Sequence, residues 1–161
     1  MNEWLAWAEA SALGHAMRNS GVWSYAVVNL AHILGVSALF GSILVLDLRL
    51  IGLWPHVPLA AVAAPAVPIA RAGFAIAAAS GVCLISTNAT EYAGNPFLYV
   101  KFPAIALGVL NVGAMNRLPE WRAHSARALT VRERRRLAVA GGVSLTCWIT
   151  AVAAGRMIGY W

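Results

Sequence analysis

The feature that most constrains this chain is a set of four apolar stretches, each long enough to cross a lipid bilayer. They run over about residues 22–46, 68–86, 97–115 and 137–157, against the ~20 residues that span a ~30 Å hydrocarbon core as a helix. In lipid every backbone polar group needs an internal partner, so such stretches fold as helices. The expected fold is therefore all-α, a transmembrane four-helix bundle formed as a single domain by the 161 residues. Composition agrees: 60% of residues are hydrophobic and 11% charged, where soluble domains average about 25% charged.

Outside the spans the chain carries readable punctuation. Residues 1–19 read as a short amphipathic interfacial helix, with Trp4, Leu5, Ala8, Ala12 and Ala16 at helical spacing among Glu3, Glu9, His15 and Arg18. The stretch has no basic n-region and does not read as a secretory signal. Pro55, Pro58, Pro65 and Pro68 predict an extended connector before the second span, since proline lacks the donor a helix interior needs. Arg71 then falls in that span's first turn, where it would snorkel to the interface. Asn95-Pro96 reads as a helix start, and Pro103 predicts an early bend in the third span.

Residues 116–136 hold seven arginines against Glu120 and Glu133. With four spans, this connector and Arg49 share one side, and the positive-inside rule places that side in the cytoplasm. The expected setting is a bacterial inner membrane, multi-pass, with both termini periplasmic. The net charge of +6 is thereby read as topology and lipid-headgroup contact, and nucleic acid is not an expected partner. Gly35, Ser37, Ala38, Gly41 and Ser42 on the first span, with Gly73, Ala77 and Gly81 on the second, let helices approach closely and would also suit a homo-oligomer.

Polar groups inside the spans mark candidate sites. Tyr25, Asn29 and His32 follow at i, i+4, i+7, a stripe expected to face the bundle interior. His32, near mid-membrane, is a candidate haem or metal ligand or a proton-relay group. Its plain structural alternative is a hydrogen bond to Asn111, Thr146 or a tryptophan NH. Lys101 and Arg156 fall at the same outer level, with Glu91 their nearby acid and Tyr160 one turn beyond Arg156. Such residues would meet haem propionates, a quinone headgroup or another anion, or simply snorkel. Asp47 at the inner end is expected to form an ion pair with Arg49, Arg71 or Arg117. Trp148 reads as packing or as a stacking surface for a cofactor ring. Cys83 and Cys147 read as buried thiols without metal-ligand spacing. The motifs of hydrolytic and phosphoryl-transfer enzymes are not in the chain.

The segments Asp47-Leu48-Arg49-Leu50-Ile51-Gly52 and Gly155-Arg156-Met157-Ile158-Gly159-Tyr160 are the most specific parts of a resemblance covering about residues 23–160. Arg71-Ala72-Gly73-Phe74 and Asn95-Pro96-Phe97 accompany them. The chain resembles an uncharacterised family of small bacterial inner-membrane proteins, distantly similar to the copper-resistance-D-like and b-type cytochrome four-helix proteins. The family implies a four-helix bundle, and the wider similarity implies haem b. The expected function is a redox-accessory or electron-transfer subunit, rather than an enzyme on its own, holding haem b or contacting quinone near His32 and serving a redox partner protein. The alternatives are a non-catalytic anchor or assembly bundle, and transport of copper or another small ion.

Overall fold

The computed structural model describes residues 2–161, and every regular element among them is helical. Two short helices, α1 (Asn2–Glu9) and α2 (Ala12–Asn19), precede four long ones, α3 (Gly21–Ile51), α4 (Leu59–Thr87), α5 (Pro96–Arg117) and α7 (Val131–Met157), with the five-residue α6 (Pro119–Ala123) between the last two. All four long helices are apolar and long enough to cross a membrane. Large side chains such as Leu34, Leu107, Leu110 and Val139 are exposed along them, the surface lipid would cover.

The amphipathic segment is not one helix. Ser11, extended at φ −68° and ψ 160°, caps α2 by accepting from the Gly14 amide at 3.2 Å. The break changes the helical phase: Leu5 and Ala8 are buried as expected, but Gly14 and Met17 replace Ala12 and Ala16 as the inward residues of α2. Leu5 and Ala8 pack on Ala89 in a 3-10 turn, Ala89–Tyr92. Glu9 accepts from both the Thr90 amide and hydroxyl at 2.7 Å. Arg18 donates to the carbonyls of Glu9 at 2.8 Å and Thr87 at 2.9 Å, tying α2 to the end of α4.

The proline-rich connector is shorter than its composition implies. α4 starts at Leu59, directly after Pro58, and carries Pro65 and Pro68 within it. A proline inside a membrane helix is tolerated where neighbouring helices hold the segment, and α3 packs along the length of α4. Arg71 consequently sits 12 residues beyond the start of α4, about 18 Å along its axis, instead of in the first turn. α3 ends at Gly52 (φ 118°), whose amide donates to the Arg49 carbonyl at 3.2 Å, while the Leu53 amide donates to Leu48 at 3.0 Å. That left-handed position suits glycine. Asn95 caps α5 at the Phe97 amide, 3.0 Å, as the Asn-Pro pair implies. Thr130 and Glu133 form a reciprocal capping box. It starts α7 six residues ahead of the expected span, so Arg132, Arg134, Arg135 and Arg136 lie on helix rather than loop.

The long helices pack in the spatial order α4, α3, α7, α5. At the α3–α4 crossing the backbones touch. A Cβ at Gly73 would lie 2.5 Å from the Leu39 amide nitrogen, and one at Gly35 would lie 2.8 Å from that of Ala77. Gly141 of α7 takes the Leu50 side chain in the same way, and Gly108 of α5 takes the Trp148 indole. The two end helices of the row, α4 and α5, make no extended contact. A cleft opens between them.

Candidate functional site

The residues singled out in the sequence do not converge on one point. Tyr25 and Asn29 are exposed, which corrects the inward stripe. The pairings Gly35 with Ala77 and Leu39 with Gly73 set Tyr25 level with Thr87, the last residue of α4, so no helix face remains to cover it. Asn29 is three residues from His32, which rotates it about 60° off the α4 seam.

His32 does face inward, half-buried, but toward α4 rather than Asn111, Thr146 or a tryptophan. Its Nδ1 is 3.0 Å from the Ala77 carbonyl and 3.1 Å from Ser80 Oγ, and the ring lies over Gly81. The carbonyl only accepts, so this contact needs the proton on Nδ1, which in the neutral ring leaves the lone pair on Nε2. Ser80 itself donates to Ile76 at 2.5 Å. His32 lines neither of the two cavities described below. Among the described residues no three His, Cys, Asp or Glu side chains gather into a metal-sized group.

Lys101, one turn into α5, and Arg156, near the end of α7, do fall at the same end of the bundle. The Lys101 side chain packs over Gly155, with Nζ 3.4 Å from where a Cβ there would stand. Arg156 donates to the Tyr160 hydroxyl and holds its guanidinium 4.7 Å from that ring's centre. Glu91 forms no ion pair with either. Asn111 is a staple: its Nδ2 donates across to the Ala140 carbonyl of α7 at 2.9 Å.

Trp148 is where a site takes shape. It is 4% exposed, its ring lies edge-on to Phe74 of α4 at 6.1 Å and covers Gly108 of α5. It forms part of the wall of a cavity of about 380 Å³ between α4 and α5. Leu39, Ile43, Val67, Val109 and Val112 make most of that wall apolar. Asp47, Arg71, Asn116 and Ser144 add polar groups. Asp47 is 3% exposed, and it forms no ion pair with Arg49, Arg71 or Arg117. Ser144, one turn before Trp148 on α7, lines the same cavity. Asp47 Oδ2 and Trp148 Nε1 are both buried without a partner among the described residues.

An unmatched donor and an unmatched acceptor in a largely apolar cleft can hold a ligand carrying both an oxygen acceptor and a hydroxyl. The sequence singled out Trp148, Asp47 and Arg71 separately but did not bring them together. The available signal was the run Gly141, Ser144, Trp148, Ala151, all buried on one face of α7.

A family model described as a family of unknown function, DUF6644, matches residues 4–161. No curated protein and no solved structure matches the chain. The resemblance to an uncharacterised family is thus met, while the more distant likeness to copper-resistance-D-like proteins and b-type cytochromes gains no support from these comparisons.

Proposed function

We propose that this chain, which belongs to the DUF6644 family of unknown function, is a redox-accessory membrane subunit whose lateral cleft holds the head of a lipid-soluble quinone. The observation that carries the reading is that two residues lining an apolar cavity open between two helices, Trp148 and Asp47, each hold a buried polar atom without a partner among the described residues, Nε1 and Oδ2. An indole NH donates and a carboxyl oxygen accepts whether ionised or protonated. A quinone carbonyl would take the first and a quinol hydroxyl would meet the second. Arg71 and Asn116 supply further donors at the rim. The cavity volume lies within the roughly 300–1,000 Å³ usual for small-molecule sites, and the gap between α4 and α5 gives an isoprenoid tail a way out into lipid. The chain would bind and orient the quinone, and electrons would pass to or from a partner protein.

The test is titration of a short-chain quinone into the full-length protein in nanodiscs, comparing the wild type with Trp148→Phe and Asp47→Asn. Loss of one neutral hydrogen bond predicts a Kd about 2- to 10-fold weaker for Trp148→Phe, with the fold retained. Absence of binding by the wild type, or equal binding by all three proteins, would sink the reading.

One observation favours a second reading, haem b or a copper ion held through His32. Donation from Nδ1 to a backbone carbonyl is the arrangement that fixes a metal-ligating imidazole with its other nitrogen free. A Soret band after haem-replete expression, lost in His32→Ala, would establish it. Its absence would leave the quinone reading standing.

For topology we adopt the bacterial inner membrane with Arg49 and the arginine connector cytoplasmic and both termini periplasmic. Membrane-impermeant thiol labelling of intact cells should modify Gly94→Cys and spare Ser125→Cys.

A further inference from the structure

The second cavity in the molecule is of a different kind. It has a volume of about 480 Å³ and lies where the α3–α4 and α6–α7 connectors meet, between the end of α3, the start of α4 and the start of α7. Its floor is apolar, built from Leu50, Leu59, Leu129 and Leu137, of which Leu50 and Leu137 are buried in the core. Its polar wall is made by Arg49, Arg127, Arg134 and Arg135, together with His124, and no acidic residue lines it.

The four arginines are not equivalent. Arg49 donates through Nε to the Val57 carbonyl at 2.7 Å and through Nη2 to that of Pro55 at 3.4 Å, so its position is set by the connector. Arg127 is engaged bidentately by Glu133 at 2.6 and 3.0 Å. Arg134 and Arg135 meet no protein carboxylate among the described residues. Two committed guanidiniums thus frame the cavity, and two uncommitted ones bring unneutralised charge to it. A guanidinium matches a phosphate oxygen pair in geometry as well as charge.

We infer that this cavity is a binding site for an acidic phospholipid, its phosphate held by Arg134 and Arg135 with Arg49 beside them and the start of an acyl chain on the accessible apolar residues Ile51, Leu59 and Leu129. The alternative source of the same chemistry, a free phosphate ion, would use the arginines but leave Ile51, Leu59 and Leu129 without an apolar partner. These apolar residues and the position at the ends of the spanning helices select the lipid. Basic pockets between membrane helices on the cytoplasmic side recognise lipid headgroups in this way. The site shares no residue with the α4–α5 cleft, so it stands or falls independently of quinone binding.

The experiment uses the full chain in neutral detergent, with short-chain phosphatidylglycerol, phosphatidylcholine and inorganic phosphate as separate probes, and native mass spectrometry as the readout. Phosphatidylglycerol is expected to be retained and phosphatidylcholine not. The double variant Arg134→Gln/Arg135→Gln should weaken phosphatidylglycerol retention roughly 30-fold. The pair Arg122→Gln/Arg132→Gln, which removes equal charge outside the cavity, should leave it within about twofold. Equal losses in the two double variants would show diffuse attraction and overturn the site. So would equal retention of both lipids, or displacement of phosphatidylglycerol by equimolar inorganic phosphate. Because the arginines are solvent-facing, far-ultraviolet circular dichroism of each variant should match the wild type.

Discussion

Replacing Gly73 by alanine should destabilise the protein more than any methyl-sized change elsewhere on the α3–α4 seam. The new Cβ would lie 2.5 Å from the Leu39 amide nitrogen and 2.8 Å from the Gly35 carbonyl oxygen, where ordinary contact begins at 3.4 Å. Both neighbours are backbone, so no rotamer can turn aside, and α3 and α4 must part locally by roughly 0.9 Å. Overpacking of this kind costs about 1–3 kcal/mol. Separation also stretches the His32 hydrogen bonds to Ala77 and Ser80. Against this, alanine gains up to about 1 kcal/mol of helix propensity over glycine. Gly41→Ala on the same helix pair isolates that gain, because nothing lies within 4 Å of its Cβ position. The two variants should therefore differ by about 1–3 kcal/mol in reversible unfolding by denaturing detergent, with Gly41→Ala at or above the wild type. If they unfold within about 0.5 kcal/mol of one another, the range of an inconsequential surface change, the backbone-contact account of this seam is wrong.

Asn111→Leu removes the side-chain staple to Ala140 and should lower stability by about 0.5–1.5 kcal/mol in the same assay. Gly108→Ala would bring a methyl to 3.1 Å from the Trp148 ring. It should shift tryptophan emission and weaken quinone titration together, whereas Gly113→Ala, with open space at its Cβ, should leave both unchanged. At the N-terminal latch the Thr90 hydroxyl and then the Thr90 amide hold the Glu9 carboxyl below its ordinary value, against an opposing effect of desolvation, with Arg18 adding least. A carboxyl whose folded value is depressed contributes above the ordinary carboxylate range and loses that contribution as pH falls through the lowered value. Hydrogen exchange at the Thr90 amide, corrected for its intrinsic pH dependence, should stay constant from neutral pH to the upper edge of that range. It should become faster only below it, and Glu9→Ala, which removes the acceptor, should exchange quickly throughout.

The parts legible in the sequence were those governed by length and local chemistry. Four spans follow from the apolar run lengths, and the Asn95-Pro96 start follows from a cap that acts within two residues. The small residues Gly73 and Ala77 announced a close helix contact, and they make one. What was not legible depended on partners distant in sequence. Pro65 and Pro68 argue locally against a helix, and it is the α3 seam that holds one there. Tyr25 has the same helical phase as His32, yet the length of α4 leaves it uncovered. Asp47 looked like half of an ion pair, because the sequence shows nearby arginines but not that the α3–α7 packing turns the carboxyl into a cleft with Ser144. The Trp148 site needed three other helices to become visible.

The spatial order α4, α3, α7, α5 has a consequence for how the molecule is put together. Each pair of long helices adjacent in sequence and joined by a tight packing seam, α3 with α4 and α5 with α7, is a self-sufficient hairpin. The two hairpins meet chiefly along the line where α3 touches α7. The molecule is in effect a book, with α3 and α7 as its spine and α4 and α5 as its covers, pinned together at one end where Ala63 and Ala66 share a buried cluster with Met115 and Leu137. A break in the polypeptide between residues 88 and 95 would leave both covers intact, so two halves made as separate chains should find each other in the membrane along the spine.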